Sequence, residues 1–435
     1  MICSSIAKMP FRRLIITAIT LIFAVSQANA QPEGFNYDES KVPEFELPDP
    51  LVANNGYPVT SASQWQNSRR SEILKHFEDS VYGRRAQLPS NLSFTTTSVD
   101  RKALGGTATR KQITVRFEDE AHQHALHVLI YLPNGSKQSV PVFLGYNFNG
   151  NHTIHEDPEI HLSTTWMRKN ENGNVNHQAT DEARGKSASR WPVETILDRG
   201  YGIATAYYGD IEPDHKDGWK TGIRSFYETD EDGHSLVLED WSAISAWAWG
   251  LSRIMDYFET DDAIDSRRVS LLGHSRLGKT SLWAGAKDQR FALTISNNSG
   301  CGGAALSRRA FGETVERINT NFPHWFNKSF KQYNGKENAL PVDQHQLIAL
   351  MAPRPVYVAS AEEDVWADPR GEFHSAREAG PVYELFGLSG VGVESQPSVN
   401  TAVGDYIGYH VRTGGHNVMD YDWEQYLNFA DKHLR

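Results

Sequence analysis

The sequence predicts a three-layer α/β domain with a mostly parallel central sheet and helices on both faces. Three observations predict it. From residue 140 onward, short apolar runs bounded by turn residues alternate with stretches of helical periodicity. The runs are continuously apolar rather than alternating, as strands covered on both faces require. The chain has 435 residues, 39% of them hydrophobic, which is enough for one large core without disulfide support.

Residues 1–30 read as a secretory leader. Lys8, Arg12 and Arg13 supply a positive start, 14–25 (LIITAITLIFAV) an apolar run, and Ala28-Asn29-Ala30 a small-residue cleavage site. The run is too short for a membrane span, which needs roughly 20 residues. Export to the periplasm or medium is therefore expected. Removing the leader removes Cys3 and leaves Cys301. One cysteine forms no internal disulfide, so the expectation is a core-stabilised bacterial enzyme rather than a disulfide-stapled module.

Residues 31–60 are polar and Pro-rich and read as an extended N-terminal wrap. Residues 69–83 (RRSEILKHFEDSVYG) carry helical spacing and stop at Gly83. Two alternating stretches, 111–117 (KQITVRF) and 124–132 (HALHVLIYL), open the sheet. The buried-type strands are 140–145, 201–207, 268–272, 291–295, 355–360 and 406–412. Helices are predicted at 240–258, 276–287, 343–351 and 422–434. The segment 150–195 is rich in His and Asn without periodicity and reads as a long surface insertion bordering the site. No linker or repeat divides 31–435, so one catalytic domain is expected.

The formal net charge is −11. It argues against nucleic acid, whose phosphates need a basic face, and against acidic membranes. Two metal-like patterns fail on inspection. Glu228 to Glu239 imitates a calcium loop but starts with Glu and lacks flanking helices. His152, His155 and His161 match no metal-ligand spacing. No metal site is expected.

The chemistry concentrates at 268–279 (RVSLLGHSRLGK), where a buried-type strand runs through Gly273-His274-Ser275-Arg276 into a helix. A serine on a strand-to-helix turn is a nucleophile elbow of the α/β-hydrolase kind. It exposes Oγ and sets the next N–H, and the helix dipole, toward a developing oxyanion. The usual second glycine is displaced: Leu277 holds its place and Gly278 follows. Such folds order their triad as Ser, acid, His. In 355–366 (PVYVASAEEDVW) Asp364 follows a strand, with Glu362 and Glu363 as alternatives; in 412–418 (RTGGHNV) His416 follows a Gly-Gly turn.

With these motifs the chain resembles the glucuronoyl methylesterases, carbohydrate esterase family fifteen. The Gly273–Lys279 turn resembles the family's glycine-x-Ser-Arg-x-Gly-Lys turn and accounts for the displaced glycine. The segments 36–50, 187–204, 240–257, 308–319, 358–371 and 412–416 extend the likeness over nearly all of the mature chain. The resemblance implies that Arg276 reaches the oxyanion with its side chain. It implies that Lys279 and Glu313 hydrogen-bond glucuronate hydroxyls and that Trp366 packs along the sugar. It implies an ester between 4-O-methylglucuronate groups of xylan and lignin alcohols as substrate, with no metal or organic cofactor. A monomer is expected. In one respect the chain departs: Asn298 stands where part of the family carries its catalytic Glu, and Asp364 then takes that role. Two other readings compete, another serine hydrolase such as an acetyl-xylan esterase or peptidase, and a catalytically silent carbohydrate-binding protein.

Overall fold

A computed structural model describes residues 1, 32–84, 91–120, 122–169, 173–226 and 241–435. The body of the leader and the 228–239 acidic run lie outside the described residues. Phe35–Arg435 packs as one unit and holds every strand of the sheet.

Ten strands form that sheet: β1 Asn91–Ala103, β2 Ala108–Glu118, β3 Gln123–Pro133, β4 Val140–Asn147, β5 Gly202–Tyr207, β6 Ile264–His274, β7 Leu293–Asn297, β8 Val356–Ala361, β9 Val403–Gly404 and β10 Ile407–Arg412. Their spatial order is β1-β2-β3-β5-β4-β6-β7-β8-β10-β9. The stretch from β5 to β10 is parallel; β1, β2, β3 and β9 pair antiparallel at the two ends. This is the predicted three-layer α/β architecture.

The helices that matter for the site are α1 Arg70–Phe77, α2 Val193–Asp198, α3 Ala243–Phe258, α4 Arg276–Lys287, α5 Pro369–Glu378 and α6 Asp420–Leu434. They cover both faces. Val142, Leu144 and Leu271 point into a core with Trp247 and Trp283 of α3 and α4. The intervening Phe143 and Leu272 point the other way, to Ile196, Trp423 and Leu427 of α2 and α6. Side-chain alternation therefore feeds two cores, and every position of β4, β5, β7, β8 and β10 is buried. Each large apolar side chain so buried contributes about 1.5–3 kcal/mol.

Local signals set the helix starts. Ser242 caps α3 by accepting from Ser245 N at 3.2 Å. Asp368 caps α5 by accepting from Gly371 N at 2.9 Å, and Pro369 opens that helix.

Several elements differ from expectation. The helical stretch begins at Ala62, ahead of the predicted start, and passes through two π-type turns before ending at Gly83, whose φ is +86°. β1 has no counterpart among the predicted strands: its solvent-facing residues are polar apart from Val99, and it is held by pairing with β2. The 150–195 insertion is irregular but not merely a surface loop. Its His152, Ile154, Ile160 and Met167 are buried, because the loop folds back over the β3–β5 part of the sheet. The N-terminal wrap is extended and anchored: Asn36 O accepts from Gly312 N at 2.8 Å, and Pro48 O from His345 and Gln346. Among the described residues no helix is long and apolar enough to cross a membrane.

Candidate active site

At the carboxyl edge of the parallel strands, β6 ends at His274 and Ser275 follows. This residue holds φ +58° and ψ −130°, a conformation costing about 1–3 kcal/mol that the surroundings enforce. Its N–H donates to Asn297 O at 2.9 Å, and its carbonyl accepts from Gly278 N at 2.9 Å and Lys279 N at 3.2 Å. α4 starts at the next residue and points its positive end at the turn. The glycine spacing has a steric cause. A Cβ on Gly273 would sit 1.9 Å from Leu277 O, and one on Gly278 would sit 2.9 Å from Ser299 Cβ. Close approach is needed at 273 and 278. Leu277 is instead buried in the core.

His416 reaches this turn from the loop after β10. Its ring lies 4.4 Å from that of His274, the neighbour of Ser275. Its Nδ1 is 2.6 Å from Asp364 Oδ2, and 41% of the side chain stays open to solvent. Asp364 itself is buried at the end of β8. Glu362 and Glu363 are exposed on the same turn, where their N–H groups donate to Arg412 O and Gly414 O. Asn298 Nδ2 donates to Asp364 Oδ2 at 2.8 Å.

The His416 loop is held from below by Arg412. The buried guanidinium donates to the carbonyls of Thr413 (2.8 Å), Gly415 (3.1 Å) and Asn417, while Nε pairs with Asp422 of α6 at 2.6 Å.

Arg276 opens α4 with its Nε 3.0 Å from Asp214 Oδ2. Its guanidinium lies over Phe148 (4.9 Å), Trp325 (5.3 Å) and Tyr208 (5.8 Å). Burial works against the charge, but Tyr208 and Asp214 outweigh it and hold the arginine more firmly protonated than usual.

Lys279 and Glu313 are not the surface charges that their sequence context also allowed. Lys279 is 4% exposed and donates to Ser299 O. Burial pulls its ammonium pKa down, opposed by the Glu313 carboxylate. Glu313 is part-buried. Burial pushes its carboxyl up, against the nearby charges of Lys279 and His416 and a hydrogen bond with Trp366. Glu313 N also donates to Trp366 O at 3.0 Å. Trp366 is half-buried, with Phe35 edge-on at 5.0 Å. All seven sequence-predicted residues therefore lie on the loops and helix start at the carboxyl edge of the sheet.

Sequence reasoning missed the supports: Asp214, Arg412, His274 and Glu372. Glu372 of α5 is fully buried. It accepts from Ser299 N (2.8 Å), Gly300 N (2.9 Å) and Ser360 Oγ (2.6 Å). Burial pushes its pKa to about 8, with the Asp364 charge adding to the rise and the hydrogen bonds opposing it. His274 and Arg412 lie inside the two motifs already marked without their roles being legible there, and Asp214 and Glu372 stand in no local pattern that announces a site.

A family model described as "Glucuronyl esterase, fungi" matches residues 194–387. A curated carbohydrate esterase from an unknown prokaryotic organism is 53% identical over 406 residues, 93% of each chain. The structure of a promiscuous CE15 esterase from a marine bacterial metagenome is 53% identical with a TM-score of 0.87, covering 92% of this chain and 100% of that one. The glucuronoyl esterase of Solibacter usitatus is 48% identical with a TM-score of 0.86, covering 91% of this chain and 100% of that one. The chain belongs to carbohydrate esterase family fifteen and is a carboxylic-ester hydrolase.

Proposed function

We propose that the chain is an exported serine esterase that cleaves esters of (4-O-methyl-)glucuronic acid, the lignin–carbohydrate links on glucuronoxylan. Ser275 Oγ attacks the C6 carbonyl while His416 takes its proton, and Asp364 orients His416 and stabilises the imidazolium. Arg276 and the N–H groups at the start of α4 hold the tetrahedral oxyanion. His416 then protonates the departing alcohol and activates the water that hydrolyses the acyl-enzyme. Lys279 and Glu313 take the glucuronate hydroxyls, and Trp366 covers one face of the sugar. The protein acts as a monomer after loss of residues 1–30, with 31–435 as one catalytic domain.

The observation that carries the reading is the 2.6 Å His416–Asp364 contact beside the strained Ser275, with the buried Lys279 and the part-buried Glu313 nearby. A simple ester needs only the triad. The added cation and anion suit a hydroxyl-rich acyl group. The test is hydrolysis of benzyl glucuronate by the mature protein, beside Ser275→Ala and an acetylated xylan. Cleavage of the glucuronate ester by wild type alone supports the proposal. Cleavage of the acetyl ester instead overturns the substrate. Because one relative is described as promiscuous, activity on both esters would mark a broader specificity.

A further inference from the structure

We infer that Asp214 is a positioning residue for the esterase reaction, fixing the Arg276 guanidinium in the orientation that meets the oxyanion. The inference rests on the oxyanion role proposed for Arg276.

An arginine in the first turn of a helix is otherwise mobile, because its long side chain has many rotamers open to it. Here that freedom is removed at a defined point. Asp214 Oδ2 lies 3.0 Å from Nε, the root of the guanidinium rather than its tips. Oδ2 is out of line for a hydrogen bond from Nε–H, so Asp214 draws the root of the guanidinium into place by charge attraction and the surrounding rings set its plane. The Phe148, Tyr208 and Trp325 rings flank the group and block rotation.

Asp214 is itself immobilised. Oδ1 accepts from Trp325 Nε1 at 2.7 Å and His324 Nε2 at 2.8 Å. Oδ2 accepts from the Tyr208 hydroxyl at 2.9 Å and lies 3.3 Å from Arg168 Nη1. The side chain is fully buried. Although burial favours its neutral form, Arg276, His324 and Trp325 outweigh burial and keep the carboxyl well below the usual range. Two clamp groups, Tyr208 and Trp325, therefore contact both the carboxylate and the guanidinium. They lie on separate loops, so the pair is built by the tertiary fold. An ion pair kept only for stability would not need to sit beside the nucleophile. Replacing such a pair with apolar groups is often neutral or stabilising.

The experiment is a double-mutant cycle on benzyl glucuronate with Asp214→Asn, Arg276→Ala and the double variant, each checked by circular dichroism. Arg276→Ala is expected to lower kcat about 10²–10³-fold. Asp214→Asn is expected to lower kcat about 10–100-fold with KM held within about threefold. The double variant is expected to be no worse than Arg276→Ala, because both changes remove one interaction. Tyr208→Phe provides the same cycle if Asp214→Asn does not fold: it keeps the ring and removes the hydroxyl, and its smaller loss should also vanish when Arg276 is alanine. A normal kcat in the variant tested, or a loss that multiplies with Arg276→Ala, overturns the inference alone. Near-normal turnover by Arg276→Ala overturns the oxyanion role and the inference with it.

Discussion

His416 Nδ1 and Asp364 Oδ2 are 2.6 Å apart, and the same carboxylate oxygen takes a second hydrogen bond from Asn298 Nδ2 at 2.8 Å. The amide just past β7 thus donates to the carboxylate that follows β8.

Asp364→Asn is accordingly expected to lower kcat about 10³–10⁴-fold, since the neutral amide stabilises neither the tautomer nor the imidazolium. Glu363→Gln should leave turnover near normal. Steady-state kinetics on benzyl glucuronate decide, and the opposite ranking would move the acid to Glu363. Asn298→Ala should cost less, about tenfold, because His416 still holds the carboxylate.

Leu277→Gly would restore the common glycine spacing at the elbow, yet it should harm the protein. Leu277 is 1% exposed and sits in the first turn of α4. Its loss combines a core cavity of about 2–5 kcal/mol with about 1 kcal/mol of helix propensity. Urea unfolding should show that drop with no gain in kcat; an unchanged midpoint would refute the packing argument.

Arg412→Ala removes the donor that holds three carbonyls of the His416 loop and leaves the buried Asp422 short of a cation. A loss of about 3–5 kcal/mol in unfolding free energy is expected. Where the variant still folds, kcat should fall more than KM rises. Wild-type kcat in a folded variant would show that the loop holds His416 without this anchor.

Glu372 supplies a pH test. A carboxyl whose folded pKa is raised from 4.5 to about 8 favours the folded state most below the unfolded value, and that advantage fades as pH rises through the folded one. Glu372→Gln cannot titrate. Relative to the variant, wild type should therefore lose stability between about pH 4.5 and 8. Urea midpoints at pH 5 and pH 8 read the difference directly, and a constant difference would mean that Glu372 is ionised at both.

The sequence by itself determined the parts that have local physics. Continuous apolar runs located β4 to β8 and β10 to within a few residues, since strands covered on both faces must be apolar throughout. The β6 end, Gly273 and Gly278 marked Ser275, because a tight strand-to-helix turn needs glycine where backbones meet. Asp364 and His416 were legible as polar residues just past strand ends. The tertiary structure alone decided the rest. β1 carries only a few apolar residues, Leu92, Phe94 and Val99 among polar ones, and is placed by its pairing with β2. Only the fold buries Asp364 while leaving Glu362 and Glu363 exposed, and gives it a partner 52 residues away. Asp214, Asn298 and Glu372 pair buried polar groups across segments distant in sequence. Such pairing depends on where the loops arrive in space, and hydrophobic periodicity carries no record of it.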